Sequence, residues 1–140
     1  MDIKNSFKIK AESETVYSAI STAKGIRGWW CQDSEIALTE GGEHSLNFLK
    51  EGKPVVMKFK IDELSPNKKV VWTCTENGNP TWIGTQLIWE IDEVGAFRFS
   101  HVNFDDKYAG TPPVQMTEQG WKHFMNSLKS YCETGEGQPW

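Results

Sequence analysis

At 140 residues the chain is sized for a single domain, residues 1–140, with a real core. Its formal net charge of −4, with no basic run, argues against nucleic acid as the main partner. No stretch is long and apolar enough to span a membrane, and Met1-Asp2-Ile3-Lys4 lacks the apolar run of a signal peptide, so a cytoplasmic protein is expected. Cys31, Cys74 and Cys132 lie far apart with no C-x-x-C pair, which speaks against a disulfide framework or a zinc site. The 7 Trp, 7 Phe and 3 Tyr must either fill a core or line a cavity.

Ile3, Phe7 and Ile9 alternate with Lys4, Ser6, Lys8 and Lys10, the pattern of a half-buried strand. Ser13 offers an N-cap to a short helix carrying Val16, Ala19 and Ile20. Gly25 and Gly28 allow a second, broken helix over 24–30. Of Trp29 and Trp30 at its end, one is expected inward and the other partly exposed, with Cys31 a partly exposed thiol beside it.

From Ser34 to Phe104 the period changes to two. A short strand is expected over 36–38, then a Gly41-Gly42 turn. His44, Leu46 and Phe48 alternate, and Glu51-Gly52-Lys53 signals a hairpin. Val55, Met57, Phe59 and Ile61 share one face of the next strand. Ser65-Pro66-Asn67 turns, then Val70, Trp72 and Cys74 share a face. Asn77-Gly78-Asn79-Pro80 is a break. Ile83, Thr85, Leu87, Trp89 and Ile91 are expected on one face of a long strand, with Trp82, Gly84, Gln86, Ile88 and Glu90 on the other. Glu93-Val94-Gly95 turns into a last strand bearing Phe97, Phe99 and His101. Asp105 to Thr111 reads as a polar loop.

The chain closes with a long helix over 113–133. Trp121, Phe124, Leu128 and Tyr131 recur at spacings of three and four, and Val114, Met125 and Cys132 widen that stripe. Thr111 is a candidate N-cap before Pro112-Pro113, and Gly135 sits where a left-handed C-terminal glycine belongs. Gly120 in mid-helix costs about 1 kcal/mol against Ala. Either it packs closely on the sheet, or it leaves room beside Trp121.

Several segments together resemble the SRPBCC superfamily. They are Phe7-Lys8-Ile9-Lys10-Ala11 with Thr15-Val16-Tyr17-Ser18-Ala19-Ile20, and Ile26-Arg27-Gly28-Trp29-Trp30. Phe97-Arg98-Phe99-Ser100-His101, Gly120-Trp121 and the run from Leu128 to Pro139 complete the set. The branch they resemble is named after the C-terminal domain of the activator of the heat-shock chaperone ATPase. The resemblance implies an α+β helix-grip fold, shared with START lipid-transfer domains and the major birch pollen allergen. In that fold a curved antiparallel sheet of about seven strands wraps a long C-terminal helix, with two short helices after strand one. The resemblance spans nearly the whole chain, so no separate chaperone-binding N-terminal domain is expected within it.

Many relatives hold small hydrophobic molecules between sheet and helix, and a bent sheet around one helix gives such a space. Trp30, Phe48, Met57, Phe59, Trp72, Trp89, Phe99, His101, Trp121, Phe124 and Leu128 are the candidate lining residues. If the opposite strand face points inward, Trp82 and Ile88 replace Trp89 and Leu87. His101 is either a polar anchor in that space or a hydrogen-bonded core histidine, while His44 and His123 look ordinary. Asp105 and Asp106 either orient a ligand at the mouth or solvate a turn. No catalytic motif occurs, and no cofactor or metal is expected. Binding of a small hydrophobic or aromatic molecule is the leading expectation, by a monomer or homodimer. A chaperone-modulating protein-binding module and a cyclase-like enzyme using His101 or a mouth carboxylate are the alternatives.

Overall fold

Alternating side chains build a seven-stranded antiparallel sheet, and turn residues set where each strand stops. The computed structural model describes residues 2–36, 39–92 and 95–139. Its strands are β1 (Ile3–Lys8), β2 (Asp33–Glu35), β3 (Glu43–Lys50), β4 (Lys53–Ser65), β5 (Lys69–Glu76), β6 (Gln86–Ile91) and β7 (Ala96–Val102). The helices are α1 (Ser13–Ser21), α2 (Ala23–Trp29) and α3 (Pro112–Thr134). Spatial order is β1-β7-β6-β5-β4-β3-β2, so the first two strands are the edges and α1 and α2 carry the chain between them. This is the α+β helix-grip architecture.

Curvature has a local cause. The register between β4 and β5 shifts between Lys58 and Phe59 and again between Ile61 and Glu63. Such irregularities bend a strand and raise its twist. The concave face so formed carries Leu46, Met57, Phe59, Ile61, Trp72, Leu87, Trp89, Phe97 and Phe99, all buried. The β3–β4 hairpin turns tightly through Glu51 and Gly52, whose φ values of 53° and 77° mark a primed turn.

The helix α3 lies against that face. It buries Val114, Trp121, Phe124, Met125, Leu128 and Cys132 of the stripe expected from its period, while Tyr131 of that stripe is only half-buried. Gly135, at φ 86°, ends it in the left-handed conformation, with its N–H donating to Tyr131 O at 2.8 Å. No helix among the described residues is long and apolar enough to cross a membrane.

Several expectations need correction. Glu12, not Ser13, holds the N-cap position of α1, without a side-chain bond, and Ser13 is already helical. Thr111 occupies the N-cap position of α3, but its hydroxyl turns back to donate to Tyr108 O at 2.6 Å. Trp29, Trp30 and Cys31 are all buried. Trp29 Nε1 donates to Ala19 O at 2.7 Å and Ser127 Oγ donates to Trp29 O at 2.7 Å, which pins α2 between α1 and α3. Burial raises the Cys31 thiol pKa, so the thiol is held neutral.

The second strand lies at Asp33–Glu35, because its pairing with β3 sets its place. Of the strand expected over 36–38, Ala37 and Leu38 lie outside the described residues, as do Glu93 and Val94 of the turn before β7. The long strand expected from Trp82 starts only at Gln86. Before it, Asn79 Oδ1 accepts from Thr81 N–H at 3.1 Å and caps a 3-10 turn over Pro80–Trp82. That turn swings Trp82 into the core and leaves Ile83 exposed.

Candidate functional site

The space between α3 and the sheet differs from one end to the other. Around His101 it is solid. The Phe99 and Trp121 rings are 4.3 Å apart, those of Trp72 and Trp89 4.7 Å, and those of Trp89 and Phe99 5.4 Å. Trp30 stacks on Trp72 at 6.0 Å and joins this layer to α2.

His101 is fully buried within it. Its Nδ1 accepts from Trp121 Nε1–H at 3.1 Å. That leaves the proton on Nε2, which donates to Thr85 Oγ1 at 2.7 Å, and Thr85 in turn donates to Trp82 O. Burial lowers the His101 pKa to about 3, so the ring is neutral with both nitrogens engaged. This is the geometry of a core histidine linking β7, the 3-10 turn and α3.

Toward the first half of α3 the two layers part. A pocket of about 230 Å³ opens there. Its apolar wall is Trp30, Phe48, Val55, Met57, Trp82, Met116, Trp121 and Phe124. Its polar lining is Lys50, Asn77, Gly78, Asn79 and Thr117. Met116 is 57% exposed, so the pocket reaches the surface. Gly120 also lines it, and a Cβ added there would meet nothing within 4 Å. Close packing on the sheet therefore does not explain Gly120; it leaves bare backbone along one wall.

Five of the candidate residues meet at this pocket: Trp30, Phe48, Met57, Trp121 and Phe124. The other six, Phe59, Trp72, Trp89, Phe99, His101 and Leu128, are buried in the solid part and do not line it. Trp89 and Leu87 face inward, and Trp82 joins them rather than replacing them. Lys50, Val55, the 77–79 loop, Met116 and Thr117 belong to the lining without having been singled out. A signal was present for some: Val55 shares the alternating face of Met57, and Lys50 that of Phe48.

The remaining titratable candidates sit elsewhere. Asp105 caps a 3-10 turn over Asp106–Tyr108 by accepting from Lys107 N–H at 3.0 Å, the turn reading of that carboxylate. His44 is buried, 4.1 Å from the Trp72 ring, and neither ring nitrogen has a partner. Burial lowers its pKa to about 4. His123 is exposed on α3. Among the described residues no group of three His, Cys, Asp or Glu side chains is placed to hold a metal.

A bent sheet gripping a terminal helix, with a partly open interior, defines an SRPBCC-type domain. Residues 10–133 match the family described as "Activator of Hsp90 ATPase homolog 1-like protein", and the chain belongs to that family. Its fold is similar to that of the Aha1 dimer from Colwellia psychrerythraea, at 28% identity and a TM-score of 0.78, covering 98% of this chain and 99% of that one. It is also similar to protein SSP2350 from Staphylococcus saprophyticus, at 20% identity and a TM-score of 0.74, covering 100% and 98%. A third similar structure is DynU16, a putative protein in the dynemicin biosynthetic locus, at 17% identity and a TM-score of 0.74, covering 97% of this chain and 48% of that one. At such identities the last two speak for the fold alone. A comparison with curated proteins found no match.

Proposed function

We propose that this chain binds a small hydrophobic, partly aromatic molecule in the pocket under the first half of α3. The observation that carries the reading is Gly120. A residue that weakens the helix stands where its missing side chain leaves space against Trp30, Trp121 and Phe124. A pocket with aromatic walls and a few polar groups is the usual form of a small-molecule site. Two arms test it. Denaturing the purified protein and running mass spectrometry on what it releases looks for a resident ligand. A thermal-shift screen of lipids and aromatic compounds compares wild type with Gly120→Leu, whose new side chain occupies the space. Stabilisation of wild type that vanishes in Gly120→Leu is expected. No released molecule and no stabilised melting across the screen would defeat the reading.

Family membership favours a second reading, a module that binds a chaperone and modulates its ATPase. Retention of this chain on an immobilised Hsp90-type chaperone, with and without nucleotide, is its test. The relative from Colwellia psychrerythraea is a dimer, and sedimentation velocity on this chain tests for the same state. The acid–base reading gains no support, because His101 is neutral, doubly hydrogen-bonded and outside the pocket lining.

A further inference from the structure

We infer that the pocket takes a small aromatic acid, its flat body among the tryptophans and its carboxylate toward Lys50. The inference rests on the small-molecule reading above and narrows its ligand class.

The polar groups of the lining are nearly all engaged. Thr117 Oγ1 accepts from Trp82 Nε1–H at 2.9 Å and donates to Pro113 O at 2.9 Å. Asn79 Oδ1 accepts from the N–H and the hydroxyl of Thr81, at 3.1 and 2.6 Å. Asn77 Oδ1 accepts from Asn79 N–H at 2.7 Å. What remains unused is a set of donors. Lys50 takes part in none of the ion pairs among the described residues. Asn77 Nδ2 is buried with no oxygen or nitrogen acceptor in reach and has only the weak acceptor of the Cys74 thiol beside it. No acidic side chain lines the pocket. A ligand that complements spare donors brings acceptors, and one beside an unpaired ammonium gains most by being an anion.

The hairpin and the loop that carry these donors meet at one side of the pocket. Lys50 lies two residues beyond Phe48 on β3, so both side chains project from the same face. Phe48 pairs with Val55 across the hairpin. A Cβ at Gly78 would lie 3.1 Å from Val55 Cγ1, which sets the 77–79 loop against that hairpin. Lys50 can run its apolar stem along the lining and keep its ammonium at the mouth. Size narrows the body. A dry cavity of about 150 Å³ holds benzene. The 230 Å³ here matches one or two fused rings better than a long acyl chain.

Isothermal titration calorimetry at low salt with 2-naphthoate, its neutral isostere 2-acetylnaphthalene and decanoate tests the idea. Wild type is expected to bind the naphthoate about tenfold tighter than the ketone. Lys50→Met should erase the acid's advantage over the ketone, while Lys50→Arg keeps the preference. Gly120→Leu should abolish binding of both aromatic compounds. Lys50 is exposed, so its variants fold. A ketone that binds wild type as well as the acid, with both lost in Gly120→Leu, overturns the acid and leaves the pocket reading standing. An acid preference that survives Lys50→Met, or tighter binding of decanoate, also overturns it. If none of the three compounds binds, this inference and the small-molecule reading fall together.

Discussion

One helix face meets two unlike surfaces. Around His101, the rings of Phe99, Trp89, Trp72 and Trp121 interlock and both His101 ring nitrogens are engaged. Beside Trp121, at Gly120, the same helix faces open space bounded by Phe48, Val55 and Met57. The first region secures the helix on the sheet. The second is free to be open because the first is not. A protein that leaves apolar space unfilled loses dispersion contacts there and must recover stability elsewhere.

The sharpest way to break this contrast is a matched pair of truncations. Phe99→Ala in the solid end should cost about 3–5 kcal/mol in urea unfolding. Phe48→Ala, at a half-buried residue already bordering space, should cost about 1 kcal/mol. Equal costs would show that the two ends are packed alike.

Acid sharpens it next. His101 and His44 are held neutral in the fold, at about 3 and about 4, against an ordinary value of 6.5. Between those values the unfolded chain binds more protons, so stability is full above pH 6.5 and falls as the pH drops. At pH 5 each histidine should cost about 2 kcal/mol. Denaturant midpoints from pH 7 to 4 measure the slope, and His101→Leu should remove one of the two contributions. A flat profile would mean that these rings are hydrated.

Glycines give the smaller effects, with opposite signs. A Cβ at Gly25 would lie 2.5 Å from Ala19 Cα and Ser18 O, so Gly25→Ala forces α1 from α2 and should cost about 1–3 kcal/mol. Gly120→Ala should instead stabilise by about 1 kcal/mol, because it gains helix propensity and meets nothing. Thermal melts separate the two. A destabilised Gly120→Ala would mean that the pocket is not open space.

Much of the architecture was legible in side-chain order. The alternation of Val55, Met57, Phe59 and Ile61 marked β4, and the spacing of Trp121, Phe124 and Leu128 marked the buried face of α3. The site was legible only in half. Phe48 and Phe59 occur on adjacent strands with the same inward pattern, yet one borders the pocket and the other is enclosed. Trp82 was misplaced because Trp82 to Ile91 reads as one alternating strand, whereas the Asn79 cap and Pro80 start a turn that takes in Trp82. Adjacent Trp29 and Trp30 both found burial because α2 is held from two sides, which no short-range pattern announces.

Periodicity and turn chemistry are local, and they sufficed to mark seven strands and a helix with one apolar face, while the gripping layout was implied by the resemblance to a family. Whether that face would be met or left open was not local. It depended on how far the shifted β4–β5 register bends the sheet and on which rings reach across to α3, distances that arise only when the layers come together.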